Sequence, residues 1–219
     1  MASAARPAKA KATSRGYVRK RAKTRAQLLT AARRVMAEKG VEAATITDIA
    51  AAAEVAAGTF YNYFSTREEI LEAVATELVE EFRKVMAAIE RTVDDPAERL
   101  ALSVRLFLGR VRQDPLWGWF MVRFGPSLPI LRDRTREIIR GHILSDGIRR
   151  KRFRLASTRA VGDLIAGTSL MALRSILESG APADIAEEIA ELLLRALGLP
   201  VDEARRVAHQ PLPELRRRG

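Results

Sequence analysis

Apolar residues recur along this chain at three- and four-residue spacing, and nowhere do they alternate with polar ones over the length of a strand. That pattern predicts an all-α protein. The first amphipathic stretch runs from Arg25 to Gly40, with Leu28, Ala32 and Val35 on its apolar side. A short element follows Thr45, in which Ile46, Ile49, Ala50 and Ala53 share one helical face. Thr45 is placed to cap it and Asp48, three residues on, to complete a near capping box at the positive helix end. After a tight turn, Phe60 and Phe64 form the buried stripe of a second short helix, leaving Thr59, Tyr61, Asn62 and Tyr63 on its other faces. Two short helices about a tight turn across 45–64 make a helix-turn-helix pattern, and DNA is the first partner it implies.

Downstream, Ser65 or Thr66 is placed to cap a long helix with Glu68 and Glu69 in its first turn, continuing through Ile70, Val74, Leu78, Phe82, Val85 and Ile89. Asp95–Pro96 and Asp114–Pro115 are two further start signals, for helices over Pro96 to about Arg112 and Leu116 to Phe124. Gly125, Pro126 and Pro129 break the chain, and helical spacing returns through Ile130, Ile138, Ile139, Ile143 and Ile148. Ser157 or Thr158 opens a helix that Gly180 ends, and Pro182 precedes a last helix reaching Leu197. The expected organisation is a disordered basic arm (1–22), a helix-turn-helix head (23–71), a helical body (72–199) and a mobile tail (200–219).

Charge sharpens this picture. The net charge of the 219 residues is +11, and residues 1–70 carry 13 bases against 6 acids. Nine of those bases lie in residues 1–25 with no acid among them, which concentrates the positive field at the motif end. The arm is expected either to track the DNA backbone or minor groove, or to be a solvated tail that raises only nonspecific affinity. The absence of cysteine fits a reducing compartment. With no apolar run of signal-peptide or membrane-spanning length, the expectation is a cytoplasmic protein without a membrane partner. Two histidines, no Gly-rich phosphate loop and no paired carboxylate or histidine motif argue against an enzyme, a metal site or a cofactor.

Thr45 to Leu71, including GTFYNYF at 58–64 and STREEIL at 65–71, resembles the DNA-binding domain of the TetR family of bacterial transcriptional regulators. The similarity extends upstream to the first helix. Two positions depart from the family pattern. Glu54 stands where the turn usually has Gly, implying a positive φ at a cost of about 1 kcal/mol or more. Ala56 stands where Ser or Thr usually caps the recognition helix. The resemblance implies phosphate contacts from Thr45, Thr47, Gly58, Thr59, Tyr61, Tyr63 and Arg67, and base reading by Thr47, Ala57, Thr59 and Asn62.

The resemblance also implies a body that binds a small effector and forms a homodimer on a palindromic operator. The run LWGWFMVRF at 116–124 holds both tryptophans. The expected effector site comprises Phe82, Arg105, Trp117, Trp119, Phe120, Arg123, Phe124, His142 and Met171, suited to a lipophilic or aromatic ligand; packed core is the competing assignment for the aromatics. The expected dimer face comprises Leu164, Thr168, Met171, Ile176, Ile189 and Leu193, with monomer core as its competitor. Against an effector-released repressor of double-stranded operator DNA stands a sequence-tolerant architectural DNA-binding protein, for which the net charge is the argument.

Overall fold

The computed structural model describes residues 8–40, 43–155 and 157–213, with side chains from Gly16 onward. Every regular element among them is helical. The chain divides into two compact units, one ending at Val74 and the other beginning at Ala75.

The first unit contains α1 (Ala8–Lys39), α2 (Ile46–Ala52), α3 (Ala57–Phe60) and the start of α4 (Arg67–Thr92). Its buried side chains include those that the periodicity selects: Leu28, Ala32 and Val35 of α1, Ile49 and Ala50 of α2, Phe60 and Phe64, then Ile70 and Val74 of α4. A four-residue helix is far too short to hold itself together, so α3 exists because α2 and this core support it. Of the expected arm, residues 8–22 are described as the start of α1. The segment is rich in Ala, Lys and Arg, all strong helix formers, and no proline interrupts it. Residues 1–7 lie outside the described part.

The second unit contains the rest of α4, then α5 (Pro96–Gln113), α6 (Pro115–Phe124), α7 (Pro129–Ile138), a π-helical turn (Ile139–Leu144), α8 (Ser145–Arg149), α9 (Thr158–Ser179), α10 (Ile185–Ala196) and α11 (Val201–Ala208). The start signals operate as expected. The Asp95 carboxylate accepts from Ala97 N at 3.0 Å and that of Asp114 from Trp117 N at 3.0 Å. The Ser157 hydroxyl accepts from Ala160 N at 3.3 Å, and Gly180 ends α9 in the left-handed region at φ 62°. Thr66 caps α4 through Glu69 N, while Glu69 returns a carboxylate to Ser65 N at 2.6 Å.

Helix α5 is the centre of this unit and packs against α6, α8, α9, α10 and α11. Its first half is buried all round, including the charged Arg99. That guanidinium is satisfied by Val93 O at 2.8 Å and by the Asp146 carboxylate at 3.2 Å, so α5 is tied to α8 without an orphaned charge. Helix α9 is long and apolar enough by composition to cross a bilayer, but it packs against α5, α6, α7 and α10 as a body helix.

The expected mobile tail needs correction, because 201–208 form α11 with Ala204, Val207 and Ala208 fully buried against α5 and α10. Arg152 bridges Asp95 and Glu203 at 2.9 Å each, and Arg105 donates to Gln210 O at 2.5 Å. The tail is therefore fastened by packing and by ion pairs. Residues 214–219 lie outside the described part.

Candidate nucleic-acid interface and effector site

The first helix of the motif begins at a reciprocal cap. The Thr45 hydroxyl accepts from Asp48 N at 3.1 Å and the Asp48 carboxylate accepts from Thr45 N at 3.1 Å. Lys39 of α1 donates to the same carboxylate at 2.7 Å. That bond, followed by those from Thr45, holds the Asp48 carboxyl down to about 2. Helix α2 closes in a Schellman turn, with Val55 N on Ala50 O and Glu54 N on Ala51 O, both at 3.0 Å. Glu54 occupies the left-handed position at φ 56°, as its place in the turn requires. Ala56 has the backbone of an N-cap, φ −65° and ψ 146°, but offers no side-chain acceptor. The amides after α3 are used in short turns, Asn62 N to Thr59 O at 3.2 Å and Tyr63 N to Phe60 O at 2.9 Å.

This local geometry sorts the side chains. Phe60 and Phe64 are buried with rings 5.8 Å apart, while Tyr61 stands against the edge of Phe60 at 5.6 Å and keeps 58% of its surface exposed. Thr45, Thr47, Ala57, Gly58 and Asn62 are exposed, and Thr59, Tyr63 and Arg67 are half-buried. Arg67 donates to Glu68 at 3.2 Å, so part of its charge is answered by its neighbour. Arg21 and Arg25 of α1 lie over the rings of Tyr63 and Phe64 at 5.9 and 5.3 Å, two contacts that sequence reading missed because cation–π partners have no sequence spacing. Gly58 faces open space, so nothing inside the protein demands a residue without a side chain there.

In the second unit Met171, among the expected effector residues, lines a groove on α9 and α10. Trp117 and Phe120 are buried at 4% and 0% exposure. Trp117 is covered by the edge of Phe107 at 5.1 Å, which in turn meets Phe82 at 6.3 Å, and by the Arg110 guanidinium at 4.6 Å. Phe120 packs on Phe124 at 4.8 Å. A Cβ on Gly118 would lie 2.5 Å from Val111 and 3.2 Å from Leu177, so the glycine serves close helix packing. Arg105 is consumed by Glu187 and Gln210, and Arg123 lies over the Trp119 ring at 5.5 Å. Met171 is 60% exposed on α9. Trp117 and Phe120 are thus core, for the ordinary reason that large apolar rings gain most by burial, while Trp119 and Phe124 are half-buried.

His142 lies elsewhere, in the π-helical turn, with Nδ1 2.8 Å from the Glu90 carboxylate near the end of α4. Beside that pair is an open groove of about 440 Å³ lined by Glu90, Asp94, Arg99, Ser145, Asp146 and Arg150, among others. Asp146 sits between three guanidinium groups, and the hydrogen bond from Arg149, outweighing burial, holds its carboxyl below the ordinary range. A π-turn widens the helix and is frequent at functional sites; here Ser145 closes it by donating to Arg140 O at 2.7 Å. Sequence reading did not group Glu90, Arg99 and Asp146, which come from separate helices.

The expected dimer face is partly corrected. Leu164 and Met171 are exposed at 43% and 60%, and Thr168, Ile176 and Ile189 are half-buried. Thr168, Met171 and Ile189 share an open groove of about 470 Å³ with Gly167, Ala172, Ser175 and Ile185. Leu193, however, is 2% exposed and belongs to the core, while its neighbour Leu192 is 53% exposed. One residue is about 100° of helix, enough to reverse the assignment.

Comparison with known proteins agrees with this anatomy. Residues 28–74 match the model of bacterial regulatory proteins of the tetR family, and residues 95–210 match the tetracyclin repressor-like C-terminal domain. The chain belongs to the TetR family. This TetR-family chain is 33% identical over 102 residues to the HTH-type transcriptional regulator TcmR of Streptomyces glaucescens, covering 46% of the chain and 44% of TcmR. It thus spans about half the length of the curated relatives it matches. Among solved structures, RolR in complex with resorcinol is 34% identical with a TM-score of 0.68, covering 91% of this chain and all of RolR. FadR of Bacillus subtilis in complex with stearoyl-CoA is 25% identical with a TM-score of 0.65, covering 78% of this chain and 96% of FadR.

Proposed function

We propose that this TetR-family protein is an effector-released repressor that binds an inverted-repeat operator as a homodimer. The observation that carries the reading is the sorting of the motif: Phe60 and Phe64 go inward, and Ala57, Gly58, Tyr61 and Asn62 are left on an open surface. Gly58 supports it further. A glycine in a short helix costs roughly 0.5–1 kcal/mol relative to Ala, and the open space around Gly58 leaves room for close approach of a phosphate backbone. Tyr61, Tyr63, Arg67, Thr45, Thr47 and Thr59 position the head on phosphates, and Asn62 pairs with an adenine edge, with methyl groups of Ala57, Thr47 and Thr59 available to thymine. The exposed Leu164, Met171 and Leu192 with Thr168, Ile176 and Ile189 supply the face for a second copy.

The effector site in this reading is the polar groove beside His142. Its volume suits a small molecule, and its alternation of carboxylates and guanidinium groups suits a hydroxylated planar ligand whose hydroxyls donate to Glu90 or Asp146 and accept from Arg99 or Arg149. RolR, which binds resorcinol, supplies the chemical precedent. Glu90 lies near the end of the same helix, α4, that begins at Arg67 beside the motif. A ligand that takes Glu90 from His142 acts on that helix, and it shifts DNA affinity only if it prefers one of the two states.

The test is to select bound fragments from sheared bacterial DNA, define the protected sequence, and titrate resorcinol into the complex. The reading expects a symmetric protected site and release that Glu90→Gln and Asp146→Asn suppress without loss of DNA binding. Protection without sequence preference would favour the architectural alternative; a symmetric site with release untouched by both substitutions would remove the effector from this groove.

A further inference from the structure

Eleven bases precede the first acid of the chain, Glu38. In the structure this acid-free stretch is largely one helix, and residues 16–23 are exposed, so those eight residues gain nothing from core burial. Its electrostatics oppose the helix. Arg19 with Lys23 and Arg21 with Arg25 are like-charge pairs at i,i+4 spacing, and the first turn has bases where the macrodipole favours acids. Such a helix is stable where an external polyanion neutralises it.

Its position says which polyanion. Arg21 and Arg25 lie over Tyr63 and Phe64, the last residues of the motif, so the exposed basic segment begins beside the surface assigned to DNA. From Thr24 back to Ala8 the helix extends roughly 24 Å, comparable to about seven base pairs of duplex. We infer that the N-terminal half of α1 is a second DNA-contacting element, lying along the phosphate backbone outside the recognition helix, with its helicity coupled to DNA occupancy. The inference rests on the DNA-binding reading above and extends it from one short helix to a composite surface.

The experiment compares the full chain with the triple variant Arg19→Gln, Lys20→Gln and Lys23→Gln, which keeps good helix formers at exposed positions and leaves Arg21 and Arg25 in place. Affinity for a random-sequence 40-base-pair duplex is measured against salt concentration, and amide hydrogen exchange across residues 8–24 is followed with and without duplex. Loss of three phosphate contacts should flatten the logarithmic salt slope by about two to three and lower affinity at least tenfold at moderate salt. Wild-type amides in 8–24 should become protected on duplex, whereas vesicles of phosphatidylglycerol and phosphatidylcholine should not protect them. Identical salt slopes for the two proteins overturn the inference, as does protection by vesicles with none by duplex. A full chain that fails to bind duplex even at low salt removes the DNA-binding reading itself, a distinguishable result.

Discussion

Ala56 is the weakest point of the motif and the sharpest place to test how its second helix is held. The backbone there already has N-cap geometry, φ −65° and ψ 146°, and the residue is exposed, so a serine hydroxyl enters without steric cost or rearrangement. Ala56→Ser gives the Gly58 amide a side-chain acceptor, that of Thr59 already donating to Ala56 O at 2.8 Å, a gain of about 1 kcal/mol, or roughly a fivefold shift in the local opening equilibrium. The assay is hydrogen exchange at Asn62, Tyr63 and Phe64, whose amides donate to Thr59 O and Phe60 O and report opening of this segment. They should exchange about fivefold more slowly in the variant. Thr45→Ala is the reciprocal experiment: it removes the acceptor for Asp48 N and should speed exchange in α2 by a similar factor. If Thr45→Ala behaves as expected and Ala56→Ser changes nothing, the end of α3 is not limited by its missing cap, and the energetic reading of that position is wrong.

Three further outcomes are expected. The Asp48 carboxyl is held at about 2, below its ordinary value near 3.8, so its contribution is complete above that ordinary value and is lost as pH falls through the lower one. Carboxyl titration by NMR should find this midpoint, and Asp48→Asn should remove the acid-sensitive step of the first unit between roughly pH 4 and 2. Gly147→Ala should destabilise the second unit by about 1–3 kcal/mol, because the new Cβ would collide with the buried Phe153 ring, and Phe153→Leu should partly restore the melting temperature. Met171→Glu with Leu192→Glu should leave helicity intact while halving the mass in sedimentation, whereas Leu193→Ala should cost about 2–5 kcal/mol of stability, a core penalty. A mass unchanged by the double glutamate variant would remove this face as the dimer interface.

The local instructions in the chain are legible because their physics is local. The Thr45–Asp48 cap, the Asp95–Pro96 and Asp114–Pro115 starts, the Gly180 stop and the inward pair Phe60 and Phe64 each involve residues within one or two helical turns, and all were realised. Helix α11 was not read: Ala204, Val207 and Ala208 stand at helical spacing, but a short polar segment after a proline reads as tail until a partner surface exists. What tertiary structure alone decided is every assignment that depends on which face meets which neighbour. Trp117 became core because Phe107 and Arg110 close over it from another helix. Leu193 is buried and Leu192 exposed through one step of helical phase, a distinction finer than an apolar stripe can specify. The polar groove draws Glu90, Arg99 and Asp146 from three helices, separated by 9 and 47 positions in sequence, and no spacing rule connects them. Sequence determines helices and their ends through contacts of a few residues; sites between helices are set by packing, in which the whole unit chooses the partners.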